Sequence, residues 1–286
     1  MTRRLAVVIG NATFEDAHSF PALRTPVNDA CQFADVIQKY GQFEILEILL
    51  DESADKIRLA IDRLYHMAQH DDLALLFYSG HGYKASNGRL YLAAKDTRAE
   101  EVRATGIWEE FIRDALSGSR ARHRVIVLDC CFSGAFIGVK SGEEPLSLEQ
   151  MQGESTAILA SSGRIQYSFE EQGTNSLFTQ NLLQGIQSGE ADEDQDGEVE
   201  VRELFAYAEK QVRLVRPEQT PMLSLTERME PVVLARIPAE VRQRRELAVL
   251  YSQAGQAVQV GQWTQVLELF ECIHAIQADY PDPQGL

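Results

Sequence analysis

The sequence has few basic residues, few cysteines and no long apolar run. Its 27 Lys and Arg residues stand against 43 Asp and Glu residues, which gives a formal net charge of −16 at pH 7. A surface with this charge repels nucleic acids, so we expect cationic or protein partners and no nucleic acid. No apolar run approaches the about 20 residues that a membrane-spanning helix needs, so we expect no membrane association.

The cysteines are too few and too unevenly spaced for a disulfide framework, and no CxxC pair indicates a zinc site. They are Cys31, Cys130, Cys131 and Cys272. The apolar run at residues 5–9 ends in Gly-Asn without the small-residue cleavage site of a signal peptide. We therefore expect a soluble, cytoplasmic protein whose thiols are reduced.

Short aliphatic runs alternate with segments of helical periodicity along the first 236 residues. The runs predict strands at residues 5–10, 44–50, 73–79, 125–130, 156–161 and 231–236. Residues 27–40 and 55–68 instead place apolar side chains at i, i+3, i+4 and i+7, which predicts helices. Strands that are apolar on both faces and separated by helices indicate a mostly parallel sheet covered on both sides. The predicted fold class is α/β.

The pattern changes after residue 237 to two amphipathic helices, residues 239–260 and 263–278, joined at Gly261. We therefore divide the chain into a main domain, residues 1–237, and a C-terminal helical hairpin, residues 238–286. The hairpin is similar to one tetratricopeptide-type unit, and a single unit rarely buries its apolar face alone. We expect it to pack against the main domain, a second copy of the chain or a regulatory partner protein.

Two predicted strands end in unusual polar sequences, FYSGHG at residues 77–82 and LDCCFSG at residues 128–134. The carboxyl ends of parallel strands are where functional residues gather, so we expect these two ends to be neighbours. His81 and Cys131 then suit a cysteine hydrolase, because a nearby imidazolium lowers the pKa of a cysteine from about 8.5. Each residue alone has a structural alternative, since a buried cysteine often only packs in the core.

The two motifs resemble those of the caspase-type cysteine peptidases, and more closely their prokaryotic and metacaspase branch, whose pattern is D-x-C-x-[SA]-G. The 50 positions from His81 to Cys131 are similar to the spacing in caspases. The resemblance spans about residues 5–236 and implies a caspase-like, mostly parallel six-stranded sheet flanked by helices. It implies that Cys131 is the nucleophile, that His81 is the base and that Cys130 only packs. By the same resemblance, the backbone N–H groups of Gly82 and Cys131 form the oxyanion hole.

Acids near the nucleophile indicate the substrate class. By resemblance to metacaspases, Asp29, Ser79 and Asp129 bind a basic P1 side chain, the residue that precedes the cleaved bond. A carboxylate pair suits a guanidinium, which donates in a fork, while Lys offers a single point charge. The implied activity is cleavage of protein substrates after Arg or Lys. From its position alone, Asp29 could instead stabilise a helix N-terminus.

Residues 192–203, DEDQDGEVEVRE, match the calcium-loop template D-x-D-x-D-G-x5-E at every specified position. The predicted calcium ligands are Asp192, Asp194, Asp196, Glu198 and Glu203. Helical periodicity flanks the loop on both sides. Without a metal, the same acids could stabilise the start of the following helix. The resemblance to metacaspases also implies a separate calcium site that includes Asp96.

Residues 136–154, FIGVKSGEEPLSLEQMQGE, predict a surface loop because they carry Gly, Pro, Ser and acids without a sustained apolar period. Lys140 is the only basic residue between Cys131 and Arg164. If the pocket accepts Arg or Lys, the bond after Lys140 is a candidate for activating cleavage of a zymogen. Alternatively, the loop is an ordinary insertion with an incidental lysine.

Two functions fit these observations. The favoured one is a caspase-like endopeptidase that is activated by cleavage in the loop after the nucleophile and that responds to calcium. The other is an inactive caspase-fold adaptor that binds calcium and partner proteins. The intact Cys–His pair and both pocket acids favour the enzyme. The resemblance further implies a role in regulated proteolysis, such as bacterial defence or cell death.

Overall fold

Helices and strands alternate along the chain, as the sequence predicts. The structure is a computed structural model, and it describes residues 2–85, 89–130, 155–161, 174–226, 229–282 and 285. The strands are β1 (Arg4–Gly10), β2 (Glu44–Leu50), β3 (Leu73–Ser79), β4 (Gly82–Lys84), β5 (Leu90–Leu92), β6 (Ile107–Trp108), β7 (His123–Asp129), β8 (Ser155–Ala160), β9 (Glu198–Glu200), β10 (Met222–Leu225) and β11 (Val233–Arg236). The helices are α1 (Pro26–Gly41), α2 (Ala54–Met67), α3 (Val102–Thr105), α4 (Glu109–Gly118), α5 (Leu177–Ser188), α6 (Val201–Val215), α7 (Ala239–Gln259) and α8 (Trp263–Ile276).

The described residues form a central sheet of six strands in the order β10-β8-β7-β3-β1-β2. All pairs in it are parallel except the one between β8 and the edge strand β10. Every residue of β3 is buried. Because this strand is covered on both faces, its sequence LALLFYS is apolar almost throughout. The predicted α/β fold with a mostly parallel six-stranded sheet is confirmed.

Helices cover both faces of the central sheet. On one face pack α1, α5 and α6, and there the rings of Phe33 and Phe77 stack with their centroids 4.2 Å apart. On the other face pack α2 and α4, which contribute Ile57, Ile61 and Ile112 to a second apolar core. Since both faces are occupied, the loops at the carboxyl ends of the strands are the natural place for a site.

One strand of the central sheet differs from the sequence prediction. The run at residues 231–236 forms β11, which pairs with β9 in a separate two-stranded sheet. The sixth strand of the central sheet is β10, at a segment where the sequence predicts no strand. β10 is four residues long and only Ser224 in it is buried, because an edge strand is covered less than a central one. Such a segment lacks the continuous apolar pattern of β3.

The C-terminal hairpin consists of α7 and α8, as predicted. Its two helices enclose a small apolar cluster around Leu247, Tyr251 and Ile273. Nη1 of Arg245 donates to the backbone carbonyl oxygens of Gly189, at 2.5 Å, and Asp192, at 2.7 Å. At least α7 therefore packs within the chain. The division into two domains and a regulatory partner for the hairpin stay predictions.

None of the helices in the described ranges is both long and apolar enough to cross a membrane.

Candidate active site

The two polar motifs lie side by side at the carboxyl edge of the central sheet. β3 and β7 are adjacent, and their last residues, Ser79 and Asp129, are direct partners. The pairing continues beyond the strands, because the N–H of Gly80 donates to the carbonyl of Asp129 at 3.2 Å. His81 and Cys131 each follow the paired residues by two positions. The two strand ends are neighbours, as expected, while Cys131 itself lies outside the described residues.

The His81 ring is fixed by the loop that follows β1. It contacts the rings of Phe14 and Phe20, with centroid distances of 5.0 and 5.9 Å. Its Nε2 atom lies 2.7 Å from the carbonyl oxygen of Pro21. Because a carbonyl only accepts, we assign the proton of the neutral ring to Nε2, which makes Nδ1 the basic nitrogen. A ring held in one tautomer can take a proton at a defined atom, as a general base must.

The backbone around His81 is anchored by a tyrosine and requires a glycine. The Tyr78 hydroxyl oxygen lies 2.9 Å from the carbonyl oxygen of His81 and 2.8 Å from that of Ala93. A Cβ atom at Gly80 would lie only 2.6 Å from this hydroxyl. The absence of a side chain at Gly80 therefore lets the chain pass over Tyr78. Gly82, the predicted oxyanion donor, directly follows His81 as the first residue of β4.

Asp29, in the first turn of α1, is fully buried. Its Oδ2 accepts a hydrogen bond from the Ser79 hydroxyl at 3.0 Å. Its Oδ1 accepts from Nδ2 of Asn175 at 2.9 Å and from the backbone N–H of Ser176 at 3.0 Å. None of these donors belongs to α1, so the Asp29 carboxylate does not cap its own helix by hydrogen bonds.

Asp129 lies beside Asp29 at the end of β7. Its Oδ2 accepts hydrogen bonds from the hydroxyl groups of Ser176 and, at 2.6 Å, of Thr179. Ser176 is also the N-cap of α5, where its side chain accepts from the N–H of Thr179 at 3.0 Å. The start of α5 therefore holds both carboxylates, which we call the acidic pair. The structure brings all three predicted pocket residues, Asp29, Ser79 and Asp129, into one cluster.

The acidic pair carries charge that no described basic residue neutralises. Burial, and secondly the charge of Asp129, raise the pKa of Asp29 to about 7, although its hydrogen-bond donors act in the opposite direction. Within the described ranges, neither carboxylate forms an ion pair with Lys or Arg. A buried and a half-buried acid that lie together without a cation of their own favour a cation that comes from outside.

Cys130 packs in the apolar core on the face of the sheet that carries α2 and α4. This environment is that of a buried packing residue. Cys131 and Lys140 are outside the described residues, so the structure places neither the predicted nucleophile nor the predicted cleavage site.

The predicted calcium ligands separate into two sets. Carboxylate oxygens of Asp192, Asp194 and Asp196 lie within 4.8 Å of one another. The Glu198 carboxylate instead forms an ion pair with Arg236 at 2.9 Å, so its side chain is directed to β11. The structure thus gathers three of the predicted side chains and leaves that of Glu198 elsewhere.

Glu203 and Asp96 accept backbone hydrogen bonds. The Glu203 carboxylate accepts N–H groups of Glu193 and Glu200, each at 2.9 Å, and is not part of the three-aspartate cluster. Oδ1 of Asp96 accepts from the N–H of Ala54 at 2.8 Å, at the start of α2. Asp96 thus has a structural role in capping α2.

Several groups that position the site are not predicted by the sequence patterns. They are the Pro21 carbonyl and the side chains of Asn175, Ser176 and Thr179. A backbone carbonyl has no residue-type signal, and short polar residues are common in loops. One signal was available, because Ser176 directly precedes an apolar-periodic stretch, as an N-cap residue does.

Comparisons with known proteins agree with this architecture. A sheet of this topology, with a histidine at the end of β3, defines a caspase-like α/β protein. Residues 3–232 match the family model of the caspase domain, and the chain therefore belongs to the caspase domain family. In general terms, such a domain is that of a cysteine peptidase acting on protein substrates. A search among curated proteins finds no match.

Solved structures show the same fold. A crystal structure of a Geobacter sulfurreducens protein is similar with a TM-score of 0.57 and 18% identity, over 82% of this chain and 98% of that one. Caspase-1 from Spodoptera frugiperda is similar with a TM-score of 0.56 and 17% identity, over 82% of this chain and 92% of that one. At these identities the likeness concerns the fold alone.

Proposed function

We propose that this chain is a cysteine endopeptidase that cleaves proteins after Arg or Lys. Cys131 is the nucleophile and His81 the general base. The observation that carries the specificity is the acidic pair, which consists of buried Asp29 in α1 and half-buried Asp129 at the end of β7. This pair lies at the sheet edge where the motifs of both catalytic residues begin.

In this proposal, Nδ1 of His81 removes the proton from the Cys131 thiol, and the thiolate attacks the carbonyl carbon of the substrate. The N–H groups of Gly82 and Cys131 stabilise the negative charge on the oxygen, by analogy with the family that the motifs resemble. His81 then returns the proton to the leaving amine, so that the C–N bond breaks and a thioester remains. A water molecule deprotonated by His81 hydrolyses the thioester and regenerates the thiol.

The acidic pair supports a basic P1 residue on electrostatic grounds. A guanidinium or ammonium group placed beside the acidic pair compensates the charge of Asp29, which burial disfavours. A P1 aspartate would instead add a third negative charge, and like charges brought together in a site cost several kcal/mol. The expected preference for Arg or Lys over Asp is therefore large.

Activation by cleavage after Lys140 is part of the same proposal. A pocket that accepts basic residues could bind Lys140, the single basic residue of the segment 136–154. This segment lies shortly after the nucleophile motif. Cleavage by the enzyme itself or by an upstream protease would then convert a zymogen into the active form.

The test is a set of fluorogenic peptides that differ only at P1, which is Arg, Lys or Asp. The purified chain is assayed with and without calcium, and Cys131→Ala is the blank. We expect kcat/KM for the Arg or Lys peptide to exceed that for the Asp peptide by at least about 10³-fold. Preference for Asp would reject the assigned pocket, and no turnover of any peptide would favour the adaptor.

A further inference from the structure

We propose that the loop of residues 192–203 binds one calcium ion. The side chains of Asp192, Asp194, Asp196 and Glu203 and the main-chain carbonyl of Glu198 are its ligands. This inference does not depend on peptidase activity, because it concerns the segment between α5 and α6.

The first observation is the geometry of the three aspartates. Their carboxylate oxygens lie within 4.8 Å of one another, close enough to share one ion. Within the described part of the chain, none of the three forms an ion pair with Lys or Arg. Three negative charges at this separation repel one another, and a divalent cation between them removes the repulsion.

The second observation is a buried oxygen without a partner. Asp192 is only 1% exposed, and its Oδ2 accepts the N–H of Gly197 at 3.1 Å. Its Oδ1 is buried and accepts no hydrogen bond from any described residue. Buried polar atoms are rarely left unsatisfied, because removing a carboxylate oxygen from water without a partner costs free energy. A cation bound by the cluster would satisfy this oxygen.

Helix capping does not account for the three aspartates. The capping box of α6 is formed by Glu200 and Glu203. The N–H groups that bond to Asp194 and Asp196 are those of Asp196, at 3.1 Å, and Glu198, at 2.7 Å, and both precede the helix. The three aspartates are therefore not needed to cap the N-terminus of α6.

The capping box of α6 instead positions Glu203, the predicted ligand at the twelfth position of the loop. Oε1 of Glu203 accepts from the N–H groups of Glu193, at 2.9 Å, and Asp194, at 3.4 Å. Oε2 accepts from the N–H of Glu200 at 2.9 Å. The carboxylate thus reaches back to the start of the loop. Because an ionised carboxylate has about four acceptor sites, its oxygens retain lone pairs for an ion.

The chemistry and spacing of the ligands favour calcium. The set consists of oxygen atoms alone, which suits a hard cation, and its spacing is that of a twelve-residue calcium loop. Gly197, at the sixth position, has a φ of +90°, which the sharp turn of such a loop requires. Magnesium is smaller and demands near-ideal octahedral geometry, so a loop with several carboxylates selects calcium.

Contacts with β11 and α7 hold the loop in place. β9 lies inside the loop and pairs with β11, where Val199 opposes Ala235. The carbonyl of Asp192 is bonded to Arg245 of α7 at 2.7 Å. The loop therefore has a fixed frame before an ion arrives, which lowers the conformational entropy lost on binding.

The experiment uses the full chain after dialysis against EDTA. Calcium chloride is titrated by calorimetry, and thermal unfolding is measured with calcium chloride and with magnesium chloride. The test variant is the double substitution Asp194→Asn and Asp196→Asn, in which the amide oxygens can still accept the loop hydrogen bonds. The control is Glu193→Gln, which removes a charge from an exposed position of the same loop that is not a ligand.

We expect one calcium ion per chain with a Kd between about 10⁻⁷ and 10⁻³ M. Calcium at a hundredfold excess over Kd should raise the Tm by several degrees, and magnesium should do so much less. The double variant should bind at least about tenfold more weakly, while Glu193→Gln stays close to wild type. The proposal is wrong if the wild type shows neither heat nor a Tm shift. Equal binding in the double variant, or equal loss in Glu193→Gln, would also overturn it.

Discussion

Asp29→Asn should have opposite effects on stability and on catalysis. The substituted side chain keeps the shape of the carboxylate. Its oxygen can accept from Asn175 and Ser176, and its amide can donate to the Ser79 hydroxyl, so all three contacts are retained. The change therefore removes the charge and leaves the packing intact.

The expected gain in stability follows from the pKa of Asp29. Burial raises this pKa from its ordinary value of 3.8 to about 7. The folded state therefore favours the protonated acid, and this contribution to stability is lost as the pH rises from about 4 through 7. The full shift corresponds to about 4 kcal/mol. Asp29→Asn avoids this penalty, so its free energy of unfolding should exceed that of wild type by up to about 4 kcal/mol at pH 8.

The expected loss in catalysis follows from the P1 cation. Without the charge at position 29, the substrate's guanidinium is buried against Asp129 alone. Removal of one member of a buried charge pair costs about 2–5 kcal/mol, so kcat/KM for Arg peptides should fall at least about 30-fold. Turnover of a peptide with an uncharged P1 residue should fall much less, because that residue does not use the charge.

The assay is thermal and urea unfolding at pH 3.5 and pH 8, together with kcat/KM for both peptides. The matched control is Asp35→Asn, which removes a charge from an exposed position of the same helix. A higher Tm for Asp29→Asn at pH 8, vanishing at pH 3.5, is the expected stability result. Destabilisation of Asp29→Asn at pH 8 would show that the charge of Asp29 does not lower the stability of the folded state. Unchanged Arg turnover would refute the assignment of Asp29 to the P1 pocket.

Two further predictions concern the cysteines and the loop after them. Cys131→Ala should abolish hydrolysis, while Cys130→Ala should keep most of it because Cys130 packs in the core; loss of activity only in Cys130→Ala would reverse the assignment. Lys140→Ala should stay uncut and weakly active when intact masses are followed during incubation, and full activity of an uncut chain would show that this cleavage is not an activation step.

The central strands β1, β3, β7 and β8 were predictable because they are buried along most of their length and appear as short apolar runs. The edge strand β2 is mostly half-exposed, and its aliphatic residues still predicted it. The bounds of all five strands in the structure lie within two residues of the prediction. β10 was not predictable in this way, because it is a short and half-exposed edge strand. The run at residues 231–236 is apolar for another reason, because Val232, Leu234 and Ala235 pack in the core that contains α1. Its strand, β11, pairs with β9 in a separate sheet.

The candidate site was predictable where residue types carry chemistry. His81 and Asp129 could be recognised because they are polar residues at the ends of apolar runs. The resemblance to metacaspases assigned Asp29 and Asp129 to the same P1 pocket. The groups that hold them were not predictable, because the bond from His81 goes to the backbone of Pro21. The contacts of Ser176 likewise depend on how α5 approaches the sheet, which only the tertiary structure defines.

The most direct measurement is covalent labelling by an active-site reagent. Wild-type chain is incubated with two acyloxymethyl ketone peptides that differ only in a P1 Arg or a P1 Asp, and the modified residue is located by peptide mapping. We expect rapid labelling of Cys131 by the Arg reagent, little labelling by the Asp reagent, and loss of the Arg labelling in His81→Ala. Labelling of Cys130, or faster reaction with the Asp reagent, would show that the nucleophile or the P1 pocket is wrongly assigned.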